Sequence, residues 1–427
     1  MSELREFTPD RRFAESLDDR DPLRAHRTRF ALPRGEDGEE LVYLCGNSLG
    51  LMPLAAARNV NDELDAWRAL AVDGHFEGKR PWYGYHEQFT HLAARVVGAE
   101  PGEVVIMNSL TVNLHLMMVS FYRPTAERFR IVIEENAFPS DRYAVESQAR
   151  FHGLDPRDAI VVLRPREGED LLRTEDVERY LASDDGKKVA LVLMGGVNFY
   201  TGQAYDLERI TRAGHAAGAV VGFDLAHAAG NVPMKLHAWD VDFACFCTYK
   251  YLNAGPGAVA GCFVHARFSD DQTLPRFAGW WGNDPQTRFK MEDRFVAQPG
   301  AAGWQLSNAP VFSMAALLAS LEIFDEAGMV RLREKSVLLT EYLLRLVDDI
   351  GDGAFRVITP RDVAARGSQV SLRARGDAKR LREMLQARGV VSDFRPPDVV
   401  RVAPVPLYNT FVDVWRFAQV LRESVGA

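Results

Sequence analysis

From residue 104 onward, short β-rich runs recur at 104–107, 130–133, 159–163, 189–194, 219–224 and 242–248, several of them continuously apolar. Such runs read as strands covered on both faces, the pattern of a parallel sheet between layers of helix. The stretches between them carry helical periodicity. Residues 206–217 are one example, with Asp206 placed to cap the start and Gly218 just past the end. The alternation predicts an α/β fold with a central, mostly parallel sheet of the seven-stranded type flanked by helices. Residues 257–265 add one more strand after a short loop, expected to run antiparallel.

The pattern changes near residue 310. Segments 310–327 and 330–350 read as long amphipathic helices, followed by strands at 355–359 and 368–374 and a helix at 377–388. Further strands are expected at 390–394 and 399–404, and a last helix at 412–424. This is a smaller α+β domain. Residues 1–75 carry turn signals and one clear helix, near 55–71. The expected division is an N-terminal segment (1–75) packing on both bodies, a large α/β domain (76–309) and a small C-terminal domain (310–427). No internal repeat interrupts this plan.

Composition narrows the function. Of 427 residues, 47% are hydrophobic and 26% charged, which excludes a disordered or collagen-like chain. The formal net charge is −8, so a broad electropositive footprint for nucleic acid is absent. The four cysteines, Cys45, Cys245, Cys247 and Cys262, are too few and too irregular for a disulfide framework or a metal site, and read as buried thiols. The opening MSELREFTPDRRF lacks the apolar core of a signal peptide, and no run approaches the ~18 apolar residues of a membrane helix. A cytoplasmic enzyme without metal, membrane or nucleic-acid partners is the expectation.

The chemistry concentrates in residues 223–257. Asp224 ends an apolar strand, where open α/β sheets place their ligands, and His227 follows three residues later. Lys250 ends the next apolar run, between two tyrosines, where an amine is costly to bury unless deprotonated or covalently engaged. Alone, each has an ordinary alternative: a capping carboxylate, a solvated lysine, a structural histidine. Together, a carboxylate and an amine at neighbouring strand ends fit pyridoxal 5'-phosphate, the amine binding the cofactor covalently and the carboxylate keeping its ring nitrogen protonated. The phosphate needs an anion site. Asn108-Ser109-Leu110-Thr111 leads straight into a helix, whose free N–H groups and the Thr111 hydroxyl form one, although Ser109 or Thr111 as a plain cap reads equally well. In Phe138-Pro139-Ser140-Asp141, Ser140 is a candidate N-cap and Phe138 a candidate cover for one face of a planar ring.

At this point the chain resembles a known family. DLAHAAGNV (224–232) and DFACFCTYKYLNAGPG (242–257) look like the lysine-bearing segment of kynureninase, a pyridoxal-phosphate hydrolase of the aspartate-aminotransferase fold. DPLRAHRTRFALP (21–33), YLCGNSLGL (43–51), GKRPW (78–82), NSLTVNLHL (108–116), FPSD (138–141), FYTGQ (199–203), GWWG (279–282), TRFKM (287–291) and RVAPVPLYNT (401–410) match in the same order. Related desulfurases share the Asp, His and Lys logic but lack GKRPW and RVAPVPLYN.

The resemblance implies hydrolysis of the Cβ–Cγ bond of L-kynurenine, or of its 3-hydroxy form, to L-alanine and anthranilate or 3-hydroxyanthranilate, in tryptophan degradation. Lys250 would carry the cofactor, Asp224 would pair with its ring nitrogen, and Phe138 would stack on the ring with Pro139, Ser140, Asp141 and His227 around it. Leu110, Thr111 and Tyr249 would hold the phosphate. Gly195 stands where relatives can have a serine and offers only its backbone. Trp280 and Asn308 would reach in from the second subunit of a homodimer. Arg401 would clamp the substrate carboxylate through its bidentate fork. His75, Trp281, Ser307 and Asn308 would surround the aromatic end of the substrate. Tyr249 is a candidate proton donor as well as a phosphate ligand, and the sequence leaves both roles open. A catalytically silent relative would have no need to keep Lys250, Asp224 and Arg401 together.

Overall fold

The computed structural model describes residues 7–351, 353 and 355–425. Its centre is a seven-stranded sheet in the order Val104–Ile106, Gly261–Val264, Phe243–Phe246, Val220–Asp224, Val189–Gly195, Arg130–Glu134, Ile160–Leu163. Neighbours from Phe243–Phe246 to Ile160–Leu163 are parallel, while Gly261–Val264 runs antiparallel to both of its neighbours. The expected strands, the late antiparallel one included, are all present with ends moved by a few residues.

Strand alternation explains why the interiors of these runs are apolar. Val132, Val192, Met194, Val221 and Phe223 enter the core on one face. Ile131, Ile133, Leu191, Leu193 and Phe243 enter the core on the other. The crossover helix Leu207–Ala217 begins at Asp206, whose carboxylate accepts the Arg209 N–H at 3.1 Å. It ends at Gly218, left-handed at φ 78°, a conformation that favours glycine. The parallel strands all finish on one edge. Register sets Gly195 opposite Asp224, and Asp224 opposite Cys245, so strand ends that are distant in sequence meet there.

A second sheet has four antiparallel strands in the order Asp393–Arg395, Val399–Val402, Val370–Ala374, Phe355–Val357. Helices Met329–Asp348, Ala378–Ala387 and Phe411–Val425 accompany it, around a separate core that includes Leu343, Leu372, Val400 and Phe417. Ala14, Val42 and Leu44 from the N-terminal segment join that core. By contrast, Met314, Leu317, Leu321 and Phe324 of helix Val311–Ala327 pack into the core of the large sheet, against helix Leu54–Leu70.

One expected element is divided. The run 390–394 is two strands: Val390–Val391 pairs in parallel with Val42–Tyr43, and Asp393–Arg395 pairs with Val399–Val402. Buried Ser392 separates them, and the partner drawn from residue 42 lies too far along the chain for local patterning to reveal. No helix among the described residues is long and apolar enough to cross a membrane.

Candidate active site

Lys250 is fixed through its backbone. Four residues after strand Phe243–Phe246, its carbonyl accepts the Asn253 N–H at 3.0 Å, and the preceding Thr248 hydroxyl bonds to the Val259 carbonyl at 2.5 Å. The YLCGNSLGL loop presses on it from outside. Gly50 N–H donates to the Tyr249 carbonyl at 2.9 Å, and a Cβ on Gly50 would lie 2.3 Å from the Lys250 carbonyl oxygen. Only glycine permits that approach. The Lys250 side chain is buried, with Nζ 3.1 Å from His227 Nε2 and 5.6 Å from the centre of the Phe138 ring. Burial, reinforced by the Lys250 charge, holds His227 well below the usual imidazole range. It is therefore neutral, and its Nδ1 has no partner.

Three carboxyl groups form the floor. Asp224 Oδ1 accepts the Ala226 N–H at 2.7 Å. Asp141, in the first turn of helix Pro139–Phe151, shares a hydrogen bond with Asp224. Burial raises both, and the facing Asp224 charge raises Asp141 further, so Asp141 holds the shared proton. Lys250 acts in the other direction on Asp224, which remains the acceptor. Glu134 ends its strand fully buried; Oε1 accepts the Gly195 N–H at 3.1 Å, and Oε2 has no partner.

Across the cavity starts helix Leu110–Phe121. Ser109 occupies the capping position, but its hydroxyl makes no capping bond, and no acidic residue sits in the first turn. Asn113 ties this entry down, donating to the Met107 carbonyl at 3.0 Å and accepting from Asn108 Nδ2 at 3.0 Å. The open N–H groups and the helix dipole make an anion site. Tyr249 lies beside it, its hydroxyl pushed up to about 12, mainly by burial.

These groups line one cleft with about 720 Å³ of space, continuous with solvent. Of the residues singled out in the sequence, Leu110, Thr111, Phe138, Ser140, Asp141, Gly195, Asp224, His227, Tyr249 and Lys250 line it together. Ser140 is not a cap, however: Phe138 takes the capping position and Pro139 the first helical one, outside the cleft wall. Sequence reasoning missed Glu134, Val197, Phe199 and Ala226 as lining residues. Arg401 stands behind Phe199, donating to its carbonyl at 2.6 Å and pairing with Asp393, while its buried Nε lacks a partner.

Five predicted residues lie elsewhere within the single chain. Trp280 Nε1 donates to the Arg288 carbonyl at 3.1 Å, and the Arg288 guanidinium lies 4.6 Å from the buried Trp281 ring. His75 sits edge-on to Trp82. Ser307 and Asn308 line a separate recess with Asn108 and Gly257.

The cleft fits pyridoxal 5'-phosphate: a buried amine, a buried carboxylate for the ring nitrogen, partnerless polar atoms on Asp141 and His227, and an uncapped helix start for the phosphate.

Residues 332–421 match the family described as "Kynureninase C-terminal domain". The chain is 57% identical over 416 residues to a protein of Myxococcus xanthus named kynureninase, covering 97% of each chain. Among solved structures it resembles the cysteine desulfurase of Thermococcus onnurineus NA1, with a TM-score of 0.75 at 18% identity, covering 90% of this chain and 95% of that one. It also resembles a C-DES mutant with glycine covalently linked to its PLP cofactor, with a TM-score of 0.70 at 16% identity, covering 89% and 96%. At such identities these two likenesses concern the fold alone.

Proposed function

The chain belongs to the kynureninase family, and from that membership we propose how its residues divide the work. The reaction is hydrolysis of the Cβ–Cγ bond of L-kynurenine to anthranilate and L-alanine, with pyridoxal 5'-phosphate as cofactor. When bound, the cofactor provides the electron sink that a carbanion at Cβ requires. Lys250 holds it and moves the proton at the substrate Cα. The neighbouring His227 Nε2, neutral and 3.1 Å from Nζ, accepts a hydrogen bond from the amine without adding positive charge. Asp224 keeps its negative charge against the ring nitrogen, held in place by the proton on Asp141.

Phe138 covers one face of the ring. The helix start at Leu110 and Thr111 takes the phosphate. Arg401 takes the substrate carboxylate, and Tyr249 Oη, which keeps its proton up to about pH 12, donates to the γ-carbonyl oxygen as water adds. In this reading 3-hydroxy-L-kynurenine is the alternative substrate.

The working unit in this reading is a homodimer. Exposed apolar rings, among them Trp67, Trp280, Phe289 and Phe312, are 41–58% accessible and call for a covering surface. A second copy would cover them and bring Trp280 and Asn308 to its neighbour's cleft. The free thiols suit a reducing cytoplasm.

The observation that carries the reading is the Lys250 amine, buried in a cleft between a floor of carboxyl groups and an uncapped helix start. Purified protein is expected to show a violet-edge absorbance band and to release fluorescent anthranilate from L-kynurenine. Lys250→Ala is expected to lose both. A band that survives the substitution, or sulfur release from cysteine in place of anthranilate, would overturn the assignment.

A further inference from the structure

Glu134, Gly195 and Asp224 end three adjacent strands and so stand in a row at the carboxyl edge of the sheet. Alternation puts Glu134 on the same face as Val132, away from Ile131 and Ile133, and turns its carboxyl into the cleft floor. The groups facing it come from every element around it. They are the Gly195 N–H, the Asp224 and Asp141 carboxyls, the Tyr205 hydroxyl from the turn before helix Leu207–Ala217, and Lys250 beyond Asp224.

No salt bridge reaches Glu134 among the described residues: Oε1 is used by Gly195, and Oε2 is buried without a partner. Gly195 adjoins the acid closely: a Cβ there would come within 3.0 Å of Glu134 Oε1, so any side chain at this position would press on that carboxyl.

We propose that Glu134 is a positioning residue for the cofactor ring, acting as a neutral carboxylic acid that accepts through Oε1 and donates through Oε2, so that Asp224 is the sole anion on the cleft floor. This rests on the reading of Asp224 as the partner of the ring nitrogen.

Charge balance supports it. A protonated ring nitrogen brings one positive charge to this end of the cleft, enough for one carboxylate; buried carboxylates beyond that lack compensation. Asp141 resolves its excess by sharing a proton with Asp224. Glu134 has no hydrogen-bonded carboxyl partner with which to share a proton, and burial pushes it up to about 7, toward the protonated form.

Glutamine reproduces a neutral glutamic acid with one acceptor and one donor, whereas leucine keeps the bulk and removes both. The test reconstitutes wild type, Glu134→Gln, Glu134→Leu and Asp224→Asn with pyridoxal 5'-phosphate. It reads the cofactor Kd, the pH midpoint of the visible band, and the infrared difference between loaded wild type and Glu134→Gln. The expected result is a Glu134→Gln Kd within about threefold of wild type with an unmoved midpoint, and a Glu134→Leu Kd weakened about tenfold or more. The difference spectrum should contain a protonated-carboxyl C=O stretch.

Glu134→Gln as damaging as Glu134→Leu, or no such stretch, would mean an ionised Glu134 and overturn the proposal. So would wild-type affinity and midpoint in Glu134→Leu. If Glu134→Leu does not fold, Glu134→Gln and the infrared band still decide. Asp224→Asn that retained both affinity and band would instead sink the Asp224 reading beneath it.

Discussion

Tyr249 shows how burial selects a role. A phenol held near 12 is a poor base and a persistent donor, so its value lies in giving a hydrogen bond or a proton at neutral pH. If the recipient is the γ-carbonyl, Tyr249→Phe should lower kcat by about 100-fold while the cofactor Kd moves less than about fivefold. The reverse split, weak cofactor binding with turnover retained at saturating cofactor, would make it a phosphate ligand. Lys250, Asp224 and His227 were legible because strand-end position, order and residue type pointed together to one chemistry. Glu134 was not legible. It adjoins a second glutamate, Glu135, and only the pleat of a strand whose end was uncertain decides which of the two turns inward. Ser140 misled because a capping residue type stood near a helix start. Pro139 at the first helical position was the better signal, and it assigns the cap to Phe138.

Elements set the electrostatics of the cleft. The first turn of helix Leu110–Phe121 attracts anions from any source, so a carboxylate placed there should compete with the phosphate. Thr111→Asp is therefore expected to leave the apoprotein as stable as wild type, or about 0.5 kcal/mol more so, while weakening the cofactor Kd by at least about tenfold. A fall in apoprotein Tm together with unchanged cofactor binding would contradict the phosphate seat.

At the opposite edge of the sheet, Asp242 joins three elements. Oδ2 accepts the Val221 N–H at 2.6 Å and lies 2.8 Å from His215 Nε2, and its other oxygen pairs with Arg267. Burial alone would raise this carboxyl, but the bonds from His215, Arg267 and Val221 outweigh it and hold it below its ordinary 3.8. A depressed folded-state value stabilises above the unfolded value and loses that contribution as pH falls through the folded one. Asp242→Asn should thus lower stability by about 2 kcal/mol at pH 7, and the Tm gap to wild type should narrow as pH drops below about 4. A pH-independent gap would assign the loss to packing. The elements themselves were largely legible, because buried parallel strands are apolar end to end. The divided strand near residue 392 was not, since its partner Val42–Tyr43 comes from the other end of the chain.

Taken as a whole molecule, the chain hides its charge chemistry. A net charge of −8 is compatible with the proposed binding of a phosphate and a carboxylate, because a helix start and a single buried arginine would suffice for them without a basic surface. What sequence could least reveal is which residues share one cleft. Lys250 and Asp224 meet within a chain, whereas Trp280, Asn308 and Ser307 lie outside that cleft in the same chain, although their motifs are as recognisable. If a second copy provides them, each cleft draws on two chains, and two differently damaged chains can repair each other. Lys250→Ala lacks its own amine but offers an intact Trp280, while Trp280→Ala offers an intact Lys250. Unfolded, mixed in equal amounts and refolded, these two inactive variants should form heterodimers with one whole cleft each, recovering about a quarter of wild-type turnover. Mixing without exchange of subunits should recover nothing. If the refolded mixture also stays at the level of the separate variants while sedimenting as a dimer, Trp280 serves the cleft of its own chain, and the shared-site arrangement fails.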